Sequence, residues 1–481
     1  MTMNETPPPD GPSDDDEARV ETARGPAQWV PKGALSRFLL QGAAWAFVAQ
    51  MLALVGGFSS QVLLARLLSP EGLGIYFLTQ SIVIVVANVG EFGLTRPLSR
   101  LISTDLGSGR SGHALRALRS AISIAAVSGV FVVVVFGIGG GDWLATSVFD
   151  SPLMAGGIGL VTLWIGSRMI LNIGSGAIQG MHRVGLAAFL HGALIPTTLA
   201  LVCAGLLWTG TSVDYDSIIA ICAVTTIVGA GLAVFVVWLP FAGVRPDGPP
   251  RTRVLFASTL PIFGAGILQV ASVQADLWII GSLLTSSDVA LYGAAKRLTI
   301  LIAFPLSILA FVVPPLISDL YARGERTRLE RLVRASTTAA SLPAVVAFVI
   351  FMLFGTEILT LAYGEIYAEG SVLLYILVAE RIFFLMLGPG SLVLVMTGHE
   401  RVVFRITMVS ATVSLLALYF GGRFGGVQGV AIAYAFASGA TGFWYLIAAR
   451  LHTGMWVHAT PFALKPIAEV IQRFRARGSS E

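Results

Sequence analysis

Charge is scarce in this sequence. Only 12% of its 481 residues are Asp, Glu, Lys or Arg, against roughly 25% in a water-soluble domain, which excludes an ordinary soluble enzyme. Lysine is rarer still: of 31 basic residues only Lys32, Lys296 and Lys465 are not arginine. Two cysteines, Cys203 and Cys222, both lie in apolar stretches and read as small buried residues, not as a disulfide framework. Six scattered histidines form no metal-ligand spacing with them, and neither a nucleophile elbow nor a Gly-rich phosphate loop is present. No cofactor and no catalytic activity are expected. The formal net charge of +4 is mild and points to no nucleic-acid partner.

What is abundant is apolar. Hydrophobic residues make up 55% of the chain, with 53 glycines and a mean hydropathy of +0.80, as in helices packed closely within lipid. At about 20 residues per crossing, hydropathy predicts twelve spans, near 38–64, 73–98, 117–138, 153–178, 186–208, 217–241, 254–283, 289–317, 336–355, 370–397, 402–421 and 426–450. Residues 1–30, with Pro7-Pro8-Pro9 and six acids between Asp10 and Glu21, read as a disordered tail. They lack the basic start and short apolar core of a cleaved signal peptide.

Basic residues sort by loop. Twenty-five of the 31 fall in the two tails and alternate loops, whereas the opposite loops hold only Arg66 and Arg423 together with Asp142, Asp150, Asp214, Asp216, Asp288, Glu357, Glu365 and Glu369. Positive charge accumulates on the cytoplasmic side, so both termini are predicted cytoplasmic. The location expected is the cytoplasmic (inner) membrane, with outward loops too short for a catalytic domain.

Short strings repeat at a nearly constant offset. Leu67-Leu68-Ser69 and Tyr76 match Leu283-Leu284-Thr285 and Tyr292; Leu101-Ile102-Ser103 matches Leu316-Ile317-Ser318; Gly180-Met181-His182-Arg183 resembles Gly398-His399-Glu400-Arg401. Residues 31–241 and 254–450 are therefore read as parallel repeats of one six-helix bundle, related by a pseudo-twofold axis along the membrane normal, with 242–253 as a cytoplasmic linker. The fold class expected is an all-α polytopic membrane protein. Two such bundles can rock about a central cleft, the geometry of alternating access; a scaffold that merely inherited the duplication is the plainer alternative.

The basic residues left inside the spans are Arg168, Lys296, Arg297 and Arg381, and the acids are Glu91, Asp276 and Glu380. An ionisable group in a bilayer pairs, or lines a watery cavity. The four bases could form a cationic cleft for a polyanion such as a pyrophosphate, where Arg makes bidentate contacts. Arg168 and Arg381 occupy similar places in the two repeats. Asp276 could instead neutralise Lys296 or Arg297, Glu380 could pair with Arg381, and Glu91 lies near the inner surface. Gln50, Gln61, Gln80 and Asn172 are read chiefly as helix contacts. Leu329, Leu332 and Val333 among arginines, and the basic amphipathic stretch 464–474 within the tail 451–481, could lie on the anionic inner leaflet or simply carry positive-inside charge.

Leu64-Ala65-Arg66-Leu67-Leu68-Ser69-Pro70-Glu71-Gly72-Leu73-Gly74-Ile75-Tyr76 resembles the first outward hairpin of the oligosaccharide flippases of polysaccharide biosynthesis, within the multidrug/oligosaccharidyl-lipid/polysaccharide exporter superfamily. Asp276-Leu277-Trp278-Ile279-Ile280-Gly281 and Tyr292-Gly293-Ala294-Ala295-Lys296-Arg297-Leu298 resemble its second-repeat counterpart. Ser69 stands where that family often has Gly. The resemblance spans about 38–450 and implies translocation of an undecaprenyl-pyrophosphate-linked repeat unit between leaflets for a surface polysaccharide, with a polymerase and export proteins as further partners. It does not assign the cavity residues. Rival expectations are a multidrug/cation antiporter, a peptidoglycan precursor flippase, and, from another class, a membrane glycosyltransferase or polymerase.

Overall fold

The structure, a computed structural model, describes residues 32–249 and 252–460. The predicted N-terminal tail and the amphipathic stretch 464–474 lie outside the described residues. Within them the first half comprises α1 (Lys32–Leu67), α2 (Pro70–Gly90), α3 (Thr95–Gly107), α4 (Ser111–Val135, prolonged by π-helical turns to Val148), α5 (Ile158–Gly180), α6 (Val184–Thr209) and α7 (Tyr215–Trp238). The second comprises α8 (Thr252–Leu283), α9 (Ser286–Ala322), α10 (Arg326–Tyr363), α11 (Ser371–Leu387), the short α12 (Gly390–Met396) and α13 (Glu400–Thr453). The chain is an all-α polytopic membrane protein.

The hairpins that begin the two halves are built alike. Ser69 Oγ accepts from Gly72 N–H at the start of α2. Thr285 Oγ1 accepts from Asp288 N–H at the start of α9, where Asp288 completes a capping box. Each hydroxyl satisfies an amide that the first turn leaves unpaired in an apolar setting, so the repeated Leu-Leu-Ser/Thr string fixes the same turn twice.

Length alone would make α13 a single 54-residue helix. It reverses at Gly426, whose φ of 59° and ψ of −150° suit glycine. Its two arms run back along each other, so closely that a Cβ on Gly429 would meet the Gly421 carbonyl. Thr407 and Tyr445, placed symmetrically about the turn, share a hydrogen bond of 2.7 Å. The arms correspond to the last two predicted spans, giving six crossings in each bundle.

The second predicted span needs correction. The sequence places it at 73–98, but α2 stops at Gly90, because Phe92 (φ 53°) and Gly93 (φ 64°) turn the chain through left-handed conformations. The remainder becomes α3, an amphipathic helix burying Pro97, Leu98 and Ile102. It packs on α5 through Gly176 and Gly180, where a Cβ would come within 2.7 Å of Thr95 Cγ2 and 2.6 Å of the Ser99 carbonyl.

The packing is asymmetric end to end. At the end bearing the hairpins 68–69 and 284–285, here the Arg-poor end, one core joins both halves: Leu64, Leu73, Tyr76 and Phe77 with Ile280, Tyr292, Leu298 and Leu374. At the opposite, Arg-rich end two separate cores are found among the described residues. One is centred on Leu98, Leu115, Ile178 and Val237, the other on Ile317, Val333, Leu394 and Leu446. The halves share one core at the Arg-poor end, while at the Arg-rich end they are joined through α8, whose Leu255 belongs to the first of these cores and whose Phe263 ring lies 4.2 Å from that of Phe92.

Candidate functional site

A cavity of about 430 Å³ lies between the bundles, lined by α1, α2, α5, α6, α9 and α11. Three of the four predicted cations line it: Arg168, Arg297 and Arg381. Arg168 and Arg381 come from equivalent helices, α5 and α11, so the repeat places one guanidinium on each wall. Arg168 Nη2 lies 3.4 Å from the His191 carbonyl. In α6 this carbonyl belongs to a π-helical turn, Phe189–Ala193, five residues before Pro196, which has no N–H to donate back to it. Arg381 makes no hydrogen bond or ion pair among the described residues. Arg297 Nη2 donates to Gln80 Oε1 at 2.8 Å and its guanidinium lies 5.6 Å from the centre of the Phe77 ring.

The fourth cation is elsewhere. Lys296 does not line the cavity; its Nζ donates to Asp276 Oδ2 at 2.5 Å and to the Val273 carbonyl at 2.9 Å, and lies 5.2 Å from the Tyr434 ring centre. Asp276 is fully buried and also accepts from Tyr292 Oη (2.7 Å) and Leu277 N–H (2.9 Å). On α9, consecutive residues point about 100° apart, which separates Lys296 from Arg297. The same geometry parts Glu380 from Arg381: Glu380 is buried and accepts from Ser438 Oγ of α13 at 2.6 Å, so the two form no ion pair. Glu91, read from sequence as lying near the inner surface, is at that end of the first bundle. It ends α2, is 7% exposed, and accepts from Thr95 Oγ1 at 3.1 Å.

Gln50, Gln61 and Gln80, read from sequence as helix contacts, line the cavity with Tyr76 and Trp164. A signal existed. Gln50 and Gln61 are eleven residues apart, three turns of one helix face, and Tyr76 and Gln80 are one turn apart. None of the described lining residues is acidic. The walls therefore offer guanidinium groups, amides and aromatic faces, a set that binds anions and polar, ring-shaped groups.

Two helical bundles enclosing a cavity that sets three guanidinium groups and three glutamines among apolar side chains have the architecture of a membrane transporter. Residues 39–321 match the family described as polysaccharide biosynthesis protein, more than half of the chain, and residues 261–420 match the MatE family. The chain belongs to the polysaccharide biosynthesis protein family, a flippase and transporter branch of the multidrug/oligosaccharidyl-lipid/polysaccharide exporter superfamily. It is 24% identical over 329 residues to "Probable low-salt glycan biosynthesis flippase Agl15" of Haloferax volcanii. That match covers 66% of this chain and 64% of the relative, just under two thirds of the relative's length. The fold is similar to that of a multidrug resistance MATE transporter solved in an inward-facing conformation (TM-score 0.69, 14% identity, covering 85% of this chain and 98% of that one). It is also similar to a transporter of the same superfamily from Pyrococcus furiosus, described as having a binding pocket of reverse polarity that suggests a different function (TM-score 0.62, 14% identity, 87% and 95% covered).

Proposed function

We propose that this protein flips a lipid-linked oligosaccharide, an undecaprenyl-pyrophosphate-linked repeat unit of a surface or extracellular polysaccharide, across the cytoplasmic membrane by alternating access. The observation that carries this reading is the convergence of Arg168, Arg297 and Arg381 on one cavity without an acid in its walls. A pyrophosphate offers the bidentate oxygen pairs that guanidinium groups engage, and the first sugars would meet Gln50, Gln61 and Trp164. The prenyl tail would stay in the bilayer. The Arg-rich end, where each half has a core of its own, faces the cytoplasm with both termini, toward the leaflet where the substrate is made. The name of the Haloferax relative is consistent with a glycan substrate.

A cation antiporter of the same fold would need a carboxylate facing the cavity. Here the three carboxylates of the spans are turned away, Asp276 to Lys296, Glu380 to Ser438 and Glu91 to Thr95. Deleting the gene should leave lipid-linked repeat units on the inner leaflet and remove the surface polymer, and the intact gene should restore it. Unchanged polymer with raised sensitivity to cationic drugs would replace this reading with the antiporter.

A further inference from the structure

The Arg-poor end is closed by Arg66 of α1, whose Nη2 donates to the Leu361 carbonyl of α10 at 2.7 Å, and by a longer seam along α2. Along it the outer half of α2 lies directly on the end of α8 and the start of α9: a Cβ on Gly74 would come within 1.8 Å of the Ser286 carbonyl, and Gly281 and Gly293 give the same close approach to Leu78 and Phe77. Trp278 Nε1 donates across the seam to Ser81 Oγ at 2.7 Å. Arg297 Nη2 donates across the seam to Gln80 Oε1, and among the cross-bundle hydrogen bonds of the described residues this one alone joins two residues that line the cavity.

This bond is unbalanced. A guanidinium has five N–H donors, yet Arg297 makes one side-chain hydrogen bond among the described residues, to a neutral amide, while the Gln80 amide itself donates to Tyr76 Oη at 3.3 Å. The bond to Gln80 is charge-assisted on the donor side only, whereas a phosphate oxygen adds a full opposite charge and a bidentate geometry that a single amide oxygen cannot offer. A phosphate oxygen entering the cavity would therefore compete well for Arg297, and engaging it would strip the seam of its bond at the cavity wall.

We propose that Gln80 is the positioning residue for Arg297 and that the pair forms an anion-released latch: Gln80 holds the arginine, and with it the closed Arg-poor end, until an anionic head group takes the guanidinium over. The inference rests on the reading of the cavity as a site for such a head group. Its logic is that the acceptor must be neutral, strong enough to hold an empty carrier closed and weak enough to yield to a phosphate. Binding thereby shifts the equilibrium between closed and open states through its differential contact with Arg297.

Spin labels at Glu71→Cys and Ser287→Cys, both exposed beside the seam, report the gap by pulsed electron paramagnetic resonance, with Cys203→Ala and Cys222→Ala as background. The full chain in lipid nanodiscs should show a short distance, and inorganic pyrophosphate should populate a longer one. Gln80→Leu should raise the long-distance population about tenfold without any anion, equivalent to about 1.4 kcal/mol. Gln80→Glu, which gives Arg297 a charged partner, should keep the short distance even with pyrophosphate. Opposite shifts from one position are not expected of a residue that only packs. If Gln80→Leu and Gln80→Glu both behave as the parent while the parent still responds to pyrophosphate, the latch is wrong and the anion cavity stands. If the parent neither opens with pyrophosphate nor is stabilised by it, the reading of the cavity fails and the proposed release fails with it.

Discussion

Lys296 and Asp276 make the sharpest test of which charges serve structure. Asp276 is fully buried, its three donors being Lys296 Nζ, Tyr292 Oη and Leu277 N–H. In Lys296→Met the carboxylate keeps two neutral donors but loses its counter-charge, and removing one partner of a buried pair costs about 3–5 kcal/mol. Asp276→Leu strands the ammonium instead, with the Val273 carbonyl and the Tyr434 ring as its remaining contacts. The double variant leaves neither charge behind, and replacing a whole buried pair with apolar residues is often neutral or stabilising. It should melt higher than either single variant. The protein carries its own reporter: Cys203 and Cys222 are free and fully buried, so a thiol-reactive fluorogenic dye reads unfolding in detergent directly. Lys296→Met with unchanged melting but abolished export would refute the structural assignment and return Lys296 to the substrate.

Other outcomes follow from single contacts. Arg168→Ala and Arg381→Ala should each weaken pyrophosphate binding by a charge-assisted hydrogen bond, about 1.5–3 kcal/mol or roughly ten- to hundredfold, without lowering the amount of membrane-inserted protein. Titration calorimetry on the purified variants checks the first and quantitative blotting of membranes the second. Gly74→Leu places a side chain where the Ser286 carbonyl now lies; thiol labelling of Cys203 and Cys222, buried in the core at that end, should rise because the Arg-poor end cannot close. Gly426→Ala puts a Cβ on a residue at φ 59° and ψ −150°, a strain of about 1–3 kcal/mol, and should lower the yield of folded protein. His458 follows α13 in the segment that runs beside α10 and α11. Desolvation, and then the nearby Arg334, hold its pKa below 6.5, so its neutral form is favoured in the fold. That stability is fully present above pH 6.5 and is lost as the pH falls below it. Hydrogen exchange of the Ala459 amide, bonded to the Met386 carbonyl, should accelerate on acidification.

How much of this was legible beforehand depends on the range of the interaction. Helices and their count were, because period, caps and hydropathy are local: Ser69 and Thr285 announce two hairpins, and both caps form. The end of α2 was not, since Phe92 is a poor signal for a left-handed turn and the run to Leu98 stays apolar. Arg168, Arg297 and Arg381 could be picked out because charge is scarce, but a list of charged positions does not say which face each occupies. Lys296 and Arg297 are neighbours in sequence and part company in space; so do Glu380 and Arg381. The deciding partners, Gln80 for Arg297 and Ser438 for Glu380, are 217 and 58 residues away. Gln80 was dismissed as a helix contact for a sound reason, since most intramembrane glutamines are that, and it does bridge helices.

What a single sequence could not convey is that this bridge joins the two bundles and also lines the cavity. Both properties arise only when α2 and α9 lie side by side, which the glycines at 74 and 293 permit. The same juxtaposition explains why one arginine of the three differs from the others. Arg168 and Arg381 sit on the equivalent helices α5 and α11, one in each bundle, and neither is bonded to the other bundle among the described residues. Arg297 alone is bonded across the seam, so a ligand that takes it breaks a contact of the closed state and must change the balance between closed and open states, whereas a ligand held by the other two breaks no such bond.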